Sequence, residues 1–556
     1  MEIRSFPEDR RIYLKQINKD DLYKMPYSGL FEKKMDKDPE RSYLAYIPEN
    51  SHLSSPAVIL ISEEKQDRLE FLEHSGWIKT ADKNDFIVIV PDPDLPEDLF
   101  PELVIDFRKR DNMVINKAYI YICGYGSGAE KAQRMAMRSP TSFAGLVLYG
   151  APNITGNELA AMDAVPTYEA DVPASRVPLP LWLVCDADEP SAKRVLEYWK
   201  RADHCKEEPF ERNGDLWYLP EDDSFDINFE REVGAKIRVS GKRFPTSDEL
   251  WDQLKRYARF VGIGNGSLTI IPPFEKSGLV FRTIVVDGVR REWLLYTPEK
   301  VSRSGRKVPL VFSFHGASNR HIRHAHLTQW IKIAEARNLQ IVFPSAALGG
   351  TSAKRNIIPH TVWNAAASPD ALNDEKFIRM IVDQLTEEGL VDSSRIYSTG
   401  QSMGSAFGQR LLLCMPDIFA AAGLTSGVFR GGVFGDYDTP GVIEGVQRPI
   451  WIIMGENDKG GGSLEVNADA KKNIEYWTIR NKTQPADDPL TFRSGAYFTN
   501  VYLNDKGVPM VQFSTVDNKT HACIAQDCWR MYDEFLCRFS MDEKGHTVYM
   551  NKIVME

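Results

Sequence analysis

Residues 400–404 read GQSMG, between the strand-like run RIYST and the helical run SAFGQRLLL. A glycine two residues before and two after a serine suits a sharp strand-to-helix turn. The flanking chain packs too closely there for side chains, and the hydroxyl is left exposed above a sheet. A serine so placed is a nucleophile for acyl transfer, provided a base takes its proton. In the order Ser, acid, His, the acid belongs after the next apolar strand, PIWIIM at 449–454, where GEND supplies Asp458, with Glu456 as its rival. His521, in DNKTHAC, is the only histidine between Ser402 and His546; His546 lies in the C-terminal tail and is the weaker base. The expected triad is Ser402, Asp458 and His521. The oxyanion needs two backbone N–H donors. Met403 supplies one, and Ala317 the other from PLVFSFHGAS, where Gly316 lets the backbone approach the substrate. Gln401, beside the nucleophile, joins Gly316 as a substrate-binding residue.

His321, His324 and His326 resemble a metal site by composition, but no carboxylate or cysteine accompanies them. Cys523 and Cys528 flank no second pair. Neither a metal nor a cofactor is expected.

The elements that position these residues occur twice. WIKTADKNDFIVIVP at 77–91 aligns without a gap with WIKIAEARNLQIVFP at 330–344, and IYICGYGSGAEKAQRMAMRSPTSFAG at 120–145 with IYSTGQSMGSAFGQRLLLCMPDIFAA at 396–421. PLWLVCDADE then pairs with PIWIIMGEND, and LEYW with IEYW. Four blocks in one order indicate a duplicated domain. Short Val/Ile/Leu-rich runs alternate with helical patterns, the signature of βα units on a buried, mostly parallel sheet. The expected fold is therefore α/β, with two tandem domains at 1–262 and 279–556 joined through the Gly/Pro-rich GIGNGSLTIIPPFEKSG.

The bulk numbers bound the function. A chain of 556 residues exceeds one core, and 43% hydrophobic with 26% charged residues excludes a disordered or membrane-spanning chain. A formal net charge of -10 without a long basic block disfavours nucleic acid and anionic membranes and favours a small-molecule ester as partner. Seven cysteines without framework spacing, and an N-terminus lacking an apolar run, lead us to expect a cytoplasmic protein.

Residues from about 285 to 540 resemble the poly(3-hydroxybutyrate) depolymerase and feruloyl esterase group of α/β-hydrolases. The likeness rests on HG at His315, FPSA at Phe343, HTVWN reaching Trp363 and Asn364, DEKFIRMIVDQL, RIYSTGQSMG, and the GEND and THAC loops. It implies a serine esterase with the triad above and with Trp363 lining the acyl or alcohol pocket. The chain departs from the group at Ser405, where a second glycine often stands, and, unlike many of its members, it is expected to carry no export signal. Small soluble esters, such as feruloyl, acetyl or short acyl esters of sugars, fit better than a polymer. The rivals are a serine peptidase of the prolyl-oligopeptidase type, whose repeated propeller strands have no counterpart here, and a binding protein that kept the fold and lost turnover.

The first half resembles the same fold without its chemistry. Its elbow is GYGSG, with Gly126 in the nucleophile's place and Ser127 one position late. Ser62 and Glu63 replace HG, no histidine lies near Arg243 and Phe244, and Glu189 stands opposite Asp458. Such a half is expected to serve as scaffold, lid or a surface for a homo-oligomer.

Overall fold

The computed structural model describes residues 1–9, 18–167, 172–221, 236–260, 267–349, 360–550 and 552–553. Two compact units result: Lys24–Pro273, with the N-terminal residues 1–9, and Phe274–Lys354 with Pro359–Glu556. The change of unit falls between Pro273 and Phe274. The described residues 18–23 group with the second unit, where Lys19 O accepts from the Arg290 amide at 3.0 Å and Tyr23 donates to Ser345 O at 3.3 Å. Residues 261–266 of the expected junction lie outside the described residues.

Both units are α/β, as the alternation of apolar runs and helical patterns requires. At the centre of the second sheet, six strands run parallel in the order Gln340–Pro344, Val308–Phe314, Val391–Gln401, Ala421–Thr425, Ile450–Gly455 and Pro509–Val516. Antiparallel pairs close both edges, Val289–Tyr296 with Leu279–Val286 on one side and Tyr497–Leu503 with Leu490–Ser494 on the other. The first sheet repeats this plan with Ile87–Pro91, Ser55–Ile61, Ile115–Tyr125, Gly145–Tyr149, Leu181–Val184 and Ile237–Ser240 at its parallel centre. Even an irregularity is shared: the register shifts between Ser55 and Ala57 in one sheet and between Val308 and Leu310 in the other. Duplication is thus visible in hydrogen-bond register as well as in sequence.

The central strands are buried on both faces, which explains their continuous apolar runs: all of VPLVFSF at Val308–Phe314 and IWIIMG at Ile450–Gly455 is buried. Helices supply the covering layers. Asp374–Glu387 starts where the Asn373 side chain accepts from the Lys376 amide, and it buries Phe377, Ile378, Ile381, Val382 and Leu385, one stripe at helical spacing. Each such side chain contributes roughly 2 kcal/mol of transfer free energy. The helix after the elbow, Met403–Cys414, is buried at every position. Its small residues Gly404, Ser405, Ala406 and Gly408 permit that close approach, and Ser405 donates its hydroxyl to Gly427 O at 2.6 Å. The Ser405 hydroxyl is therefore satisfied within the protein. Among the described residues, no helix is long and apolar enough to cross a membrane.

Candidate active site

The elbow is built by backbone crowding. Ser402 sits at φ 57° and ψ -116°, a conformation that costs a non-glycine residue about 1–3 kcal/mol. A Cβ on Gly400 would come within 2.4 Å of Gly404 O, and one on Gly404 within 2.1 Å of Phe314 O, so neither position accepts a side chain. The turn is locked by the Ser402 amide donating to Thr425 O at 2.9 Å. The serine is consequently lifted above the sheet, at the C-terminal ends of the parallel strands.

Two loops bring the other members to it. Asp458 follows the strand Ile450–Gly455 in a turn closed by its own amide donating to Gly455 O at 2.9 Å. His521 follows the strand Pro509–Val516. The loops are zipped together by the Glu456 amide on Val516 O and the Asn457 amide on Lys519 O, both at 2.9 Å. Glu456 itself is exposed and accepts from the Asn518 amide at 2.9 Å, so it braces the histidine loop from outside. Behind that loop the buried Lys519 pairs with the buried Asp527 at 2.9 Å, and Tyr497 donates to the same carboxylate at 2.7 Å.

His521 Nε2 lies 2.8 Å from Ser402 Oγ, and His521 Nδ1 lies 2.5 Å from Asp458 Oδ1. With Asp458 buried and ionised, Nδ1 carries the proton and Nε2 is left to accept from the serine. Burial pushes the Asp458 carboxyl up, but the His521 bond and charge, the Ser426 hydroxyl and the Lys459 amide outweigh it, and the group titrates below the ordinary carboxylate value. The carboxylate therefore stays charged when the imidazole must be oriented.

The HG loop abuts the nucleophile: a Cβ on Gly316 would stand 3.4 Å from Ser402 Cβ. Its carbonyl accepts from His315 Nδ1 at 2.7 Å and from the Asn319 amide at 3.3 Å, while the Ser318 amide donates to Thr361 O at 2.8 Å. In a trans peptide the N–H points opposite the C=O, so fixing Gly316 O fixes the direction of the Ala317 N–H. Met403 is the first residue of its helix, where amides lack intrahelical acceptors. Both expected oxyanion donors thus border Ser402.

Two of the expected substrate contacts, Trp363 and Gln401, have partners within the protein. Trp363 is 1% exposed, stacks on Phe407 at 4.8 Å between ring centroids, and donates its indole N–H to His315 O at 2.8 Å. It packs against the HG loop, and its ring completes an aromatic cluster with Phe314. Gln401 presses its side-chain oxygen against Gly316 and reaches His521 O with its nitrogen at 3.5 Å, a bracing position between two loops.

The neighbouring histidines point at serines: His324 Nε2 lies 2.9 Å from Ser313 Oγ and His321 Nδ1 3.1 Å from Ser345 Oγ. Among the described residues no group of three or more His, Cys, Asp or Glu is arranged to hold a metal. Burial pushes the His315 imidazole down to about 4 and His324 to about 3, and holds His321 well below its ordinary value. The folded chain then binds fewer protons than the unfolded chain below about pH 6.5, so stability is complete above that value and falls as pH drops toward 4. With His326, which burial pushes down to about 3, four such histidines give a slope of about 5 kcal/mol per pH unit at most. The urea midpoint should therefore fall markedly between pH 7 and pH 5, and His324→Gln should flatten the dependence. An unchanged midpoint would refute the buried neutral assignment.

The corresponding place in the first unit keeps the turn and loses the chemistry. The Gly126 amide donates to Tyr149 O at 2.8 Å, as Ser402 does to Thr425, and Gly126 has φ 52°. A Cβ there would lie 2.1 Å from Glu63 Oε1, and Ser127 spends its hydroxyl accepting from the Glu64 amide at 2.8 Å. In a Ser402→Ala background, Gly126→Ser should restore neither ester hydrolysis nor labelling by a fluorophosphonate, because the new hydroxyl meets the Glu63 carboxylate and, among the described residues, finds no imidazole. Measurable labelling of that double variant would show a base we have not recognised.

No family model matches the chain. A bifunctional acetylxylan esterase/xylanase of Neocallimastix patriciarum, XynS20E, is 26% identical over 173 residues, 31% of this chain and 22% of that protein, so the match spans under a quarter of the relative's length. Among solved structures, acetyl xylan esterase from Aspergillus awamori aligns with 47% of this chain and 98% of its own at 15% identity and a TM-score of 0.36. An S-formylglutathione hydrolase from Agrobacterium tumefaciens aligns with 48% and 89% at 13% identity and a TM-score of 0.29.

Proposed function

We propose that this chain is a carboxylic-ester hydrolase that works through a seryl acyl-enzyme on small soluble esters. The observation that carries the reading is the continuous Ser402–His521–Asp458 chain at 2.8 and 2.5 Å, on a strained elbow beside the HG loop. In this mechanism Ser402 Oγ attacks the ester carbonyl while His521 Nε2 takes its proton. Asp458 holds the imidazole tautomer, and the Met403 and Ala317 amides receive the oxyanion. His521 then protonates the departing alcohol. Water, activated by the same imidazole, releases the acid and restores the serine.

Acetyl, feruloyl or short acyl groups on sugars are the substrates we favour; the relative named for acetylxylan supports the acetyl ester. The test is a panel of p-nitrophenyl acetate, p-nitrophenyl butyrate, methyl ferulate and acetylated xylo-oligosaccharides, with a proline-containing peptide amide as control. Hydrolysis of the esters and not of the amide is the expected result. Efficient amide cleavage would move the chain to the peptidases, and failure of a fluorophosphonate to label Ser402 would make it a binding protein.

A further inference from the structure

In the second unit, Gln401 and Thr425 are register partners at the ends of adjacent strands, directly before and beside the nucleophile's turn. The same register positions in the first unit are Tyr125 and Tyr149. Their rings stack with centroids 5.1 Å apart and planes 28° apart, and Phe244 continues the stack on Tyr149 at 5.9 Å and 29°. Phe71 packs edge-on against Tyr125, and Trp77 donates its indole N–H to the Tyr125 hydroxyl at 2.6 Å, so the lower end of the ladder is anchored. Its upper end is open, with Phe244 79% exposed. Polar groups border it. The Glu63 carboxylate stands over Gly126, and Arg243 pairs with Glu249 at 2.6 Å and with Asp215 at 2.8 Å. Tyr149 senses this rim: burial first, then the Glu249 carboxylate, pushes its phenol up.

We propose that this crest is a carbohydrate-binding site, in which the open face of Phe244 stacks on the C–H face of a pyranose and the rim accepts and donates hydrogen bonds to its hydroxyls.

The ligand class follows from the shape and from the rim. Axial C–H groups of a pyranose carry partial positive charge and are drawn to the electron-rich face of an aromatic ring. Carboxylates and a guanidinium in planar, paired geometry suit vicinal hydroxyls, which both donate and accept. An organic cation could also stack on a single ring face, but Arg243 beside this one would repel it. An aromatic acid would stack, but it would bring its charge to Glu63 and Glu249, while Arg243 is already paired with Glu249 and Asp215. A single exposed phenylalanine would be unremarkable on any surface. Here it ends a three-ring ladder standing where the sister unit keeps its catalytic groups, at the strand ends where open α/β sheets collect their ligands.

The proposal is independent of ester turnover and is tested by binding. Full-length Ser402→Ala protein, which cannot consume an ester, is titrated with xylohexaose and with cellohexaose by saturation-transfer NMR and calorimetry. Ferulate serves as the aromatic-acid control. We expect saturable binding of at least one hexasaccharide, weakened tenfold or more by Phe244→Ala and severalfold by Glu63→Gln, and unchanged by Phe274→Ala, an exposed ring elsewhere. In the chain that retains Ser402, Phe244→Ala should leave p-nitrophenyl acetate hydrolysis as it was. Phe244 is largely exposed and its removal opens no core cavity, so loss of binding would not report misfolding. Binding of neither hexasaccharide, binding indifferent to Phe244→Ala, or saturation by ferulate alone would each overturn the proposal.

Discussion

Ser402→Ala is expected to lower ester hydrolysis by about 10^4-fold or more, since no acyl-enzyme can then form. Stability should change little, because alanine keeps the same Cβ at φ 57° and the lost hydroxyl bonds only the catalytic imidazole among the described contacts. His521→Ala should lose a comparable factor, as serine without a base at 2.8 Å is a poor nucleophile. Asp458→Asn should lose less than either: an amide oxygen can still accept from Nδ1, but the charge that supports the imidazolium is gone. Glu456→Gln is the control that separates the two acids of GEND. Its carboxylate bonds the Asn518 amide outside the triad, so kcat/KM should stay within a few-fold. If Glu456→Gln proved more damaging than Asp458→Asn, the acid would be misassigned. If Ser402→Ala kept a tenth of the original rate, so would the nucleophile.

Much of this site could be read from sequence because covalent spacing constrains it. Glycines at 400 and 404 are dictated by backbone atoms closer than 3 Å, which leaves a local signature. Asp458 and His521 follow apolar strands, and parallel order across a sheet gathers strand ends on one edge, so their meeting with Ser402 follows from topology. Trp363 was different. Whether an aromatic faces a pocket or a core depends on what packs against it from distant parts of the chain, here Phe407 and the carbonyl of His315. The histidine cluster was ambiguous for the same reason. Its serine partners, Ser313 on one strand and Ser345 just past the end of another, cannot be paired with His324 and His321 by spacing alone. Residues 18–23 carry no periodic pattern, so their grouping with the second unit rests on contacts such as that of Tyr23 with Ser345.

The two units also separate what holds the turn from what performs the reaction. Gly128 is held under Ile61 O and Ser62 O as Gly404 is under Phe314 O and His315 O, and the amides of Gly126 and Ser402 make the same bond to the next strand. The shared contacts are backbone contacts, and the side chains alone differ. A strand-turn-helix corner therefore outlasts loss of its nucleophile, because the corner is part of the sheet's own packing. Above the corner, a carboxylate at Glu63 fills the space that the HG loop leaves for a substrate, and aromatic rings stand at the register positions of Gln401 and Thr425.

The second large effect is expected from His315, which contacts neither the nucleophile nor, in this reading, the substrate. It is a positioning residue. Its ring is fully buried; burial pushes its pKa down to about 4, so above pH 5 it is neutral, with one nitrogen donating and the other accepting. Nε2 accepts from the Ala346 amide at 2.9 Å, which leaves the proton on Nδ1 to hold Gly316 O at 2.7 Å and thereby direct the Ala317 N–H. Losing one oxyanion donor typically lowers kcat by about 10^2 to 10^3-fold. His315→Gln, whose amide reaches the Nε2 position and not Nδ1, should lose about 10^2-fold in kcat with KM nearly unchanged, since the donor acts mainly on charge developing in the transition state. His315→Asn places an N–H near the Nδ1 position and should recover part of that loss. This difference distinguishes orientation of a donor from mere packing, because asparagine is the smaller residue and leaves the larger void, so a packing role would make it the worse variant. His315 should also add no limb to the pH–rate profile above pH 5. Equal kcat in both variants and in the unaltered chain would mean that the Ser318 and Asn319 amides hold the loop without it.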